Sequence, residues 1–199
     1  DGGRTWGDKY TLVENDGKCN VMEVTFLRLK QGDIASFYCR CMNNKGETDC
    51  RVRMRTSSDE GRTLGAGKQL SRDNTYAALT NGRCLRLKTG RILLEAYIKG
   101  EDGEYTCCCY LSDDEGAVWR ESQRIRPEGG SCYEPACIEL KDGRVMMLLR
   151  TSLGMQYKSL STDGGETWSK PEPTPLTDAG APVALSRVPQ TGDILVIWN

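Results

Sequence analysis

The sequence predicts an all-β chain of repeated four-stranded antiparallel units, the blades of a β-propeller. Three observations carry that prediction. One short pattern, Ser-x-Asp-x-Gly-x-Thr-Trp, recurs four times in full or altered form, with aspartates at Asp1, Asp59, Asp114 and Asp163, intervals of 58, 55 and 49 residues. A second pattern, a glycine reversal between apolar stretches, recurs in step at Gly32, Gly90, Gly143 and Gly192, at intervals of 58, 53 and 49 residues. Two markers sharing a period of this length are the signature of a repeat architecture. The third observation is compositional: 22 of the 199 residues are glycine, and no amphipathic helical stretch of convincing length occurs.

The elements follow in chain order. Asp1-Gly2-Gly3-Arg4-Thr5-Trp6 opens within one copy of the first pattern, so residues 1–15 read as the last turn and last strand of a blade. The unit 16–70 contains the hairpin Lys30-Gln31-Gly32-Asp33, then strands around Phe37–Cys41 and Arg51–Arg55 joined by a turn at Asn43-Asn44-Lys45-Gly46, then Ser57 to Leu64. The unit 71–125 repeats this order with Lys88-Thr89-Gly90-Arg91, a strand from Tyr105 to Leu111, and Ser112 to Trp119. In 126–176 the hairpin Lys141-Asp142-Gly143-Arg144 is followed by a strand from Met155 to Leu160 and by Ser161 to Trp168. Residues 177–199 begin a further blade around Gln190-Thr191-Gly192-Asp193. Glycine suits these reversals because it accepts the positive φ that a tight hairpin demands. Three whole blades with partial ones at both ends read as a single partial propeller domain, a central fragment of a longer protein. Its open blade edges would favour self-association.

The first pattern reads as structural. Its aspartate (Asp1, Asp59, Asp114, Asp163) caps backbone N–H groups in the turn, and its tryptophan (Trp6, Trp119, Trp168) packs between strands. With 27 basic and 28 acidic residues the net charge is −1, so neither a nucleic-acid partner nor a polybasic membrane surface is indicated. No apolar run reaches the ~18 residues of a membrane span. The absence of histidine excludes imidazole catalysis and imidazole metal ligation by this chain. The ten cysteines read as small buried strand residues. Cys39, Cys41 and Cys50 lack the spacing of a zinc site, so no metal or cofactor is expected.

Ser-x-Asp-x-Gly-x-Thr-Trp is the Asp box of bacterial neuraminidase repeats, and the whole chain resembles the sialidase superfamily. The segment Tyr133-Glu134-Pro135-Ala136-Cys137-Ile138-Glu139-Leu140, continuing to Leu149-Arg150-Thr151-Ser152, is similar to the sialidase stretch in which a catalytic glutamate opens one strand and a substrate arginine closes the next. The ending from Ser186 to Asn199 is similar to the following blade.

The resemblance implies an exo-α-sialidase-like glycoside hydrolase that removes terminal sialic acids with retention. Such enzymes use a tyrosine nucleophile. Glu134 would be the base that activates it, and Arg150 would clamp the substrate carboxylate. Arg83, in Asn81-Gly82-Arg83-Cys84, resembles a further pocket-facing position, with Gly82 departing from the family's acidic residue. Tyr133 is set aside as nucleophile because adjacent strand residues face opposite ways. The family's acid/base aspartate, tyrosine nucleophile and remaining arginines match nothing between Asp1 and Asn199, so little activity is expected from this chain alone. A sialylated glycan would be the partner, in a secreted or cell-surface setting. The alternatives are a non-catalytic Asp-box propeller that binds glycans or proteins, and a truncated gene product without activity.

Overall fold

The computed structural model describes residues 1–42, 49–178 and 180–199; the turn expected at 43–46 lies outside the described residues. Fifteen strands and no helix occur among them. The first sheet is β1 (Val21–Arg28), β2 (Ile34–Cys41), β3 (Cys50–Ser57) and β4 (Lys68–Gln69), paired in that order. The second contains β5 (Ala77–Leu79) and β6 (Leu85–Arg86), which share the partner β7 (Ile92–Lys99), followed by β8 (Tyr105–Ser112) and β9 (Arg120–Glu121). The third is β10 (Cys132–Glu139), β11 (Val145–Thr151), β12 (Met155–Ser161) and β13 (Glu172–Thr177). The last pair is β14 (Ala184–Arg187) and β15 (Ile194–Ile197). Every pairing between these strands is antiparallel, as the repeat predicts. No strand forms before Val21, although residues 1–15 were expected to contribute one.

The sheets stand side by side in chain order, the arrangement of successive propeller blades. The second sheet is covered on both faces, which explains why β7 is apolar along nearly its whole length and buried at every residue from Ile92 to Ile98. The main core therefore lies between sheets, with Phe37, Leu93, Leu111 and Met147 fully buried. Burial of each such side chain stabilises the fold by about 1.5–3 kcal/mol. A smaller cluster of Ala136, Leu148 and Val183 seats the β14–β15 pair against the third sheet.

Both sequence patterns become turns at the same end of the sheets. Ile34 pairs with Ser57, Ile92 with Ser112 and Val145 with Ser161, so each glycine hairpin and the Asp box after it lie side by side. In the box at Asp59, the carboxylate accepts the Thr63 N–H at 2.9 Å and the Thr63 hydroxyl at 2.6 Å, while Ser57 Oγ accepts the Gly61 N–H at 2.8 Å. Asp163 and Ser161 repeat this arrangement with Thr167 and Gly165. Asp114 keeps the backbone bond to Val118 at 2.8 Å but has no threonine hydroxyl to receive.

Two successive residues of each box are left-handed: Gly2 and Gly3, Glu60 and Gly61, Glu115 and Gly116, Gly164 and Gly165. Each of the two glutamates also makes an ion pair. Glu60 binds Arg28 at 2.6 Å and Glu115 binds Arg86 at 2.5 Å, each arginine rising from the preceding hairpin strand. The tryptophans diverge. Trp168 is buried, Trp119 meets Phe37 edge-on at 5.5 Å, and Trp6 is 88% exposed, so the packing role assigned to Trp6 is not realised.

Candidate site at the bulged strand ends

Two bulges lie toward the opposite end of the sheets. β1 and β10 each contain a register irregularity, between Met22 and Thr25 and between Tyr133 and Ala136. Within these bulges Glu23 and Glu134 have φ of 59° and 43°, left-handed values that are costly for a residue with a Cβ. Strain of this kind gathers where a side chain must be aimed rather than packed.

Tyr133 pairs with Arg150 across β10 and β11, and the bulge turns Glu134 back onto the same partner. Arg150 Nη1 donates to Glu134 Oε2 at 2.5 Å, with the two side chains 30% and 20% exposed. The two charged residues singled out in the sequence are thus in direct contact. Arg150 also lies 5.6 Å from the centroid of the Tyr133 ring. Strict alternation thus fails across the bulge, and one guanidinium touches both neighbours. Tyr133 is held in a cluster of rings, 5.0 Å from Tyr105 and 6.2 Å from Tyr97.

The first sheet repeats the geometry with different chemistry. Met22 pairs with Cys39, as Tyr133 pairs with Arg150, and the Cys39 thiol donates to Glu23 Oε2 at 3.4 Å. Glu23 also accepts the Leu79 N–H at 2.9 Å. Burial above all, together with the negative charge of Glu134, pushes the Glu23 carboxyl up to about 7. Glu23 was missed in the sequence, yet a signal was there. It precedes its hairpin glycine by nine residues, as Glu134 does (Glu23 to Gly32, Glu134 to Gly143).

Arg83 stands one sheet away and is committed to the backbone. Its guanidinium donates to the carbonyls of Glu134 at 2.7 Å and Pro135 at 2.9 Å, and also to Val183. It therefore ties the bulge of β10 to the chain leading into β14, and burial holds it below the usual guanidinium range. Arg83 also lines a cavity of about 620 Å³ between the first strands of the second, third and last sheets, a space that Glu134 and Arg150 do not line. Lys88, Lys141 and Arg187 make its lining strongly cationic. Glu95 enters it at 2% exposure, accepting the Cys137 N–H at 3.2 Å while its Oε2 has no partner among the described residues. Burial pushes this carboxyl up to about 7. A second cavity of about 310 Å³, mostly apolar, is bordered by Glu23, Met22 and Tyr38.

Asp1, Asp59, Asp114 and Asp163 are all held in turns by local hydrogen bonds, and the last three lie at the end of the sheets remote from Arg150. No group of three or more metal-ligating side chains occurs among the described residues.

Comparison with known proteins gives this geometry a context. The BNR repeat-like domain model matches residues 1–199. A sialidase from Micromonospora viridifaciens is 26% identical over 195 residues, covering 84% of this chain and 30% of the relative. Among solved structures, a Hadza microbial sialidase superposes with a TM-score of 0.75 at 17% identity, covering 89% of this chain and 39% of that one. A Trypanosoma rangeli sialidase in complex with sialic acid gives 0.73 at 15% identity, covering 98% and 36%. The chain thus spans 30–39% of the length of these relatives.

Proposed function

We propose, for a chain that belongs to the sialidase superfamily of BNR repeat-like domains, that its bulged strand ends supply part of a site for sialic acid in a retaining glycoside hydrolase. The observation that carries this reading is the contact between Glu134 and Arg150 at 2.5 Å, made by a strained glutamate on one strand and an arginine closing the next. Sialic acid bears a carboxylate on its anomeric carbon. That group would compete with Glu134 for the Arg150 guanidinium, whose planar fork suits two-point binding of a carboxylate. Released from the arginine, Glu134 becomes a free carboxylate able to take the proton of a tyrosine nucleophile, the group that sialidases use in place of a second carboxylate. Glu23 sits within electrostatic reach of Glu134 and could present a protonated carboxyl to a neutral substituent of the sugar. Arg83 acts as a positioning residue, because it holds the carbonyls of Glu134 and Pro135.

The test is hydrolysis of a fluorogenic α-sialoside by the full protein that carries this chain, beside its Arg150→Ala variant. Loss of the clamp is expected to lower kcat/KM by about a hundredfold or more. Hydrolysis at the unaltered rate would remove Arg150 from the reaction. Saturable sialic acid binding without hydrolysis by either protein would favour a glycan-binding propeller instead.

A further inference from the structure

We propose that Cys41 and Cys50 are a thiol–disulfide modification site, entered through the exposed Cys19. The two residues face each other as a register pair of β2 and β3. One step outward, the Met42 N–H donates to the Asp49 carbonyl at 2.7 Å. Cys41 and Cys50 therefore occupy a non-hydrogen-bonded position of the ladder, where facing Cα atoms lie about 4.5 Å apart and side chains come closest. That separation is within the range a disulfide spans. The sulfurs are already 3.2 Å apart, with the Cys41 thiol donating to Cys50. The thiol of Cys39 and, against the opposing effect of burial, that of Cys41 hold Cys50 below the ordinary cysteine range, which favours the nucleophilic thiolate.

Access distinguishes this pair. Cys41 and Cys50 are buried, but the exposed Cys19 runs alongside, its N–H donating to the Cys41 carbonyl at 3.3 Å. The other neighbouring thiols lack such an exposed companion: Cys109 and Cys137, 3.8 Å apart, and Cys107 beside Cys132 are all buried, as is Cys39 beside Cys50.

The co-reactant is a low-molecular-weight disulfide such as oxidised glutathione. The Cys19 thiolate attacks one of its sulfurs and expels the first thiolate. Cys41, whose thiol is pushed up by burial and by its hydrogen bond to Cys50, loses its proton as it attacks the Cys19 sulfur of the mixed disulfide and expels the second, which makes this the slow step. Cys50 then attacks Cys41 Sγ and returns Cys19 to a thiolate. The small disulfide is reduced to two thiols, which take up the protons of Cys41 and Cys50, and one protein disulfide forms. The new bond pins the end of the strand that carries Cys39, the partner of Glu23.

The experiment is incubation of the protein with oxidised glutathione, then thiol counting in denaturant and peptide mapping without reductant. Of the ten thiols, two should be lost, with Cys41 linked to Cys50 and the link reversed by dithiothreitol. Cys19→Ser should reach the same product about tenfold more slowly. Cys50→Ser should stop at a Cys19–Cys41 link or at a glutathione adduct. Survival of all ten thiols, or linkage confined to other cysteines, would overturn the proposal. An unchanged rate in Cys19→Ser would overturn the entry route. The unaltered protein alone decides the linkage, so a variant that fails to fold leaves the result readable.

Discussion

At the scale of single residues, Glu134 and Glu95 show two ways of holding a carboxylate inside a sheet protein. Glu134 is offset by a cation at 2.5 Å and aimed by a strained backbone. Under the proposed reaction, replacing it by glutamine in the full protein that carries this chain keeps the shape and removes the base, so steady-state kinetics on an α-sialoside should show kcat falling by about a hundredfold or more with little change in KM. A fall in binding alone would assign Glu134 to recognition. Among the described residues Glu95 has no such cation at contact distance, and it lies in the cavity with its pKa raised by burial from 4.5 to about 7. Its folded state therefore holds a proton more tightly than its unfolded state. The stability linked to that proton is fully present below pH 4.5, is lost as pH rises from 4.5 to about 7, and changes no further above that. Denaturant titrations across this window should show the wild type losing about 3 kcal/mol relative to Glu95→Gln. Parallel curves for the two proteins would mean that burial does not raise the Glu95 pKa.

At the scale of elements, the glycine turns separate backbone strain from lack of space. Gly165 has φ +90° and a Cβ there would stand 2.9 Å from Leu93 Cδ2 in the core, whereas Gly32 has φ +104° with nothing within 4 Å. Both alanine variants carry the left-handed penalty of about 1–2 kcal/mol. Only Gly165→Ala adds a clash with a buried leucine, so its melting temperature should fall clearly further than that of Gly32→Ala. Equal losses would show that the Leu93 side of the core yields freely. These hairpins and boxes were legible because their glycines and aspartates act on their own few residues, as Thr63 and Gly61 around Asp59 show. The bulges were not legible. Nothing in Met22-Glu23-Val24 or Tyr133-Glu134-Pro135 marks an extra residue, and the irregularity exists only relative to the pairing of β2 and β11.

At the scale of the whole molecule, the apolar surface is uneven. Val24 and Phe26 on β1 are 45% and 54% exposed, and Leu195 and Ile197 on β15 are 48% and 60% exposed, while the second sheet between them is covered on both faces. Self-association through these faces is therefore expected, read as a mass that rises with concentration in light scattering, and Phe26→Lys should weaken it. A constant monomer mass at high concentration would end that expectation. The sequence by itself determined the all-β class, the repeated antiparallel unit and the turn chemistry, because each depends on local patterns. Only the tertiary structure decided that the bulge turns Glu134 onto Arg150, that Glu23 lies within electrostatic reach of Glu134, that Arg83 anchors carbonyls, that Glu95 is buried and half-paired, and that Trp6 is exposed while Trp168 is not. Those outcomes depend on which sheet covers which, and burial by a neighbouring sheet leaves no mark in the residues it buries.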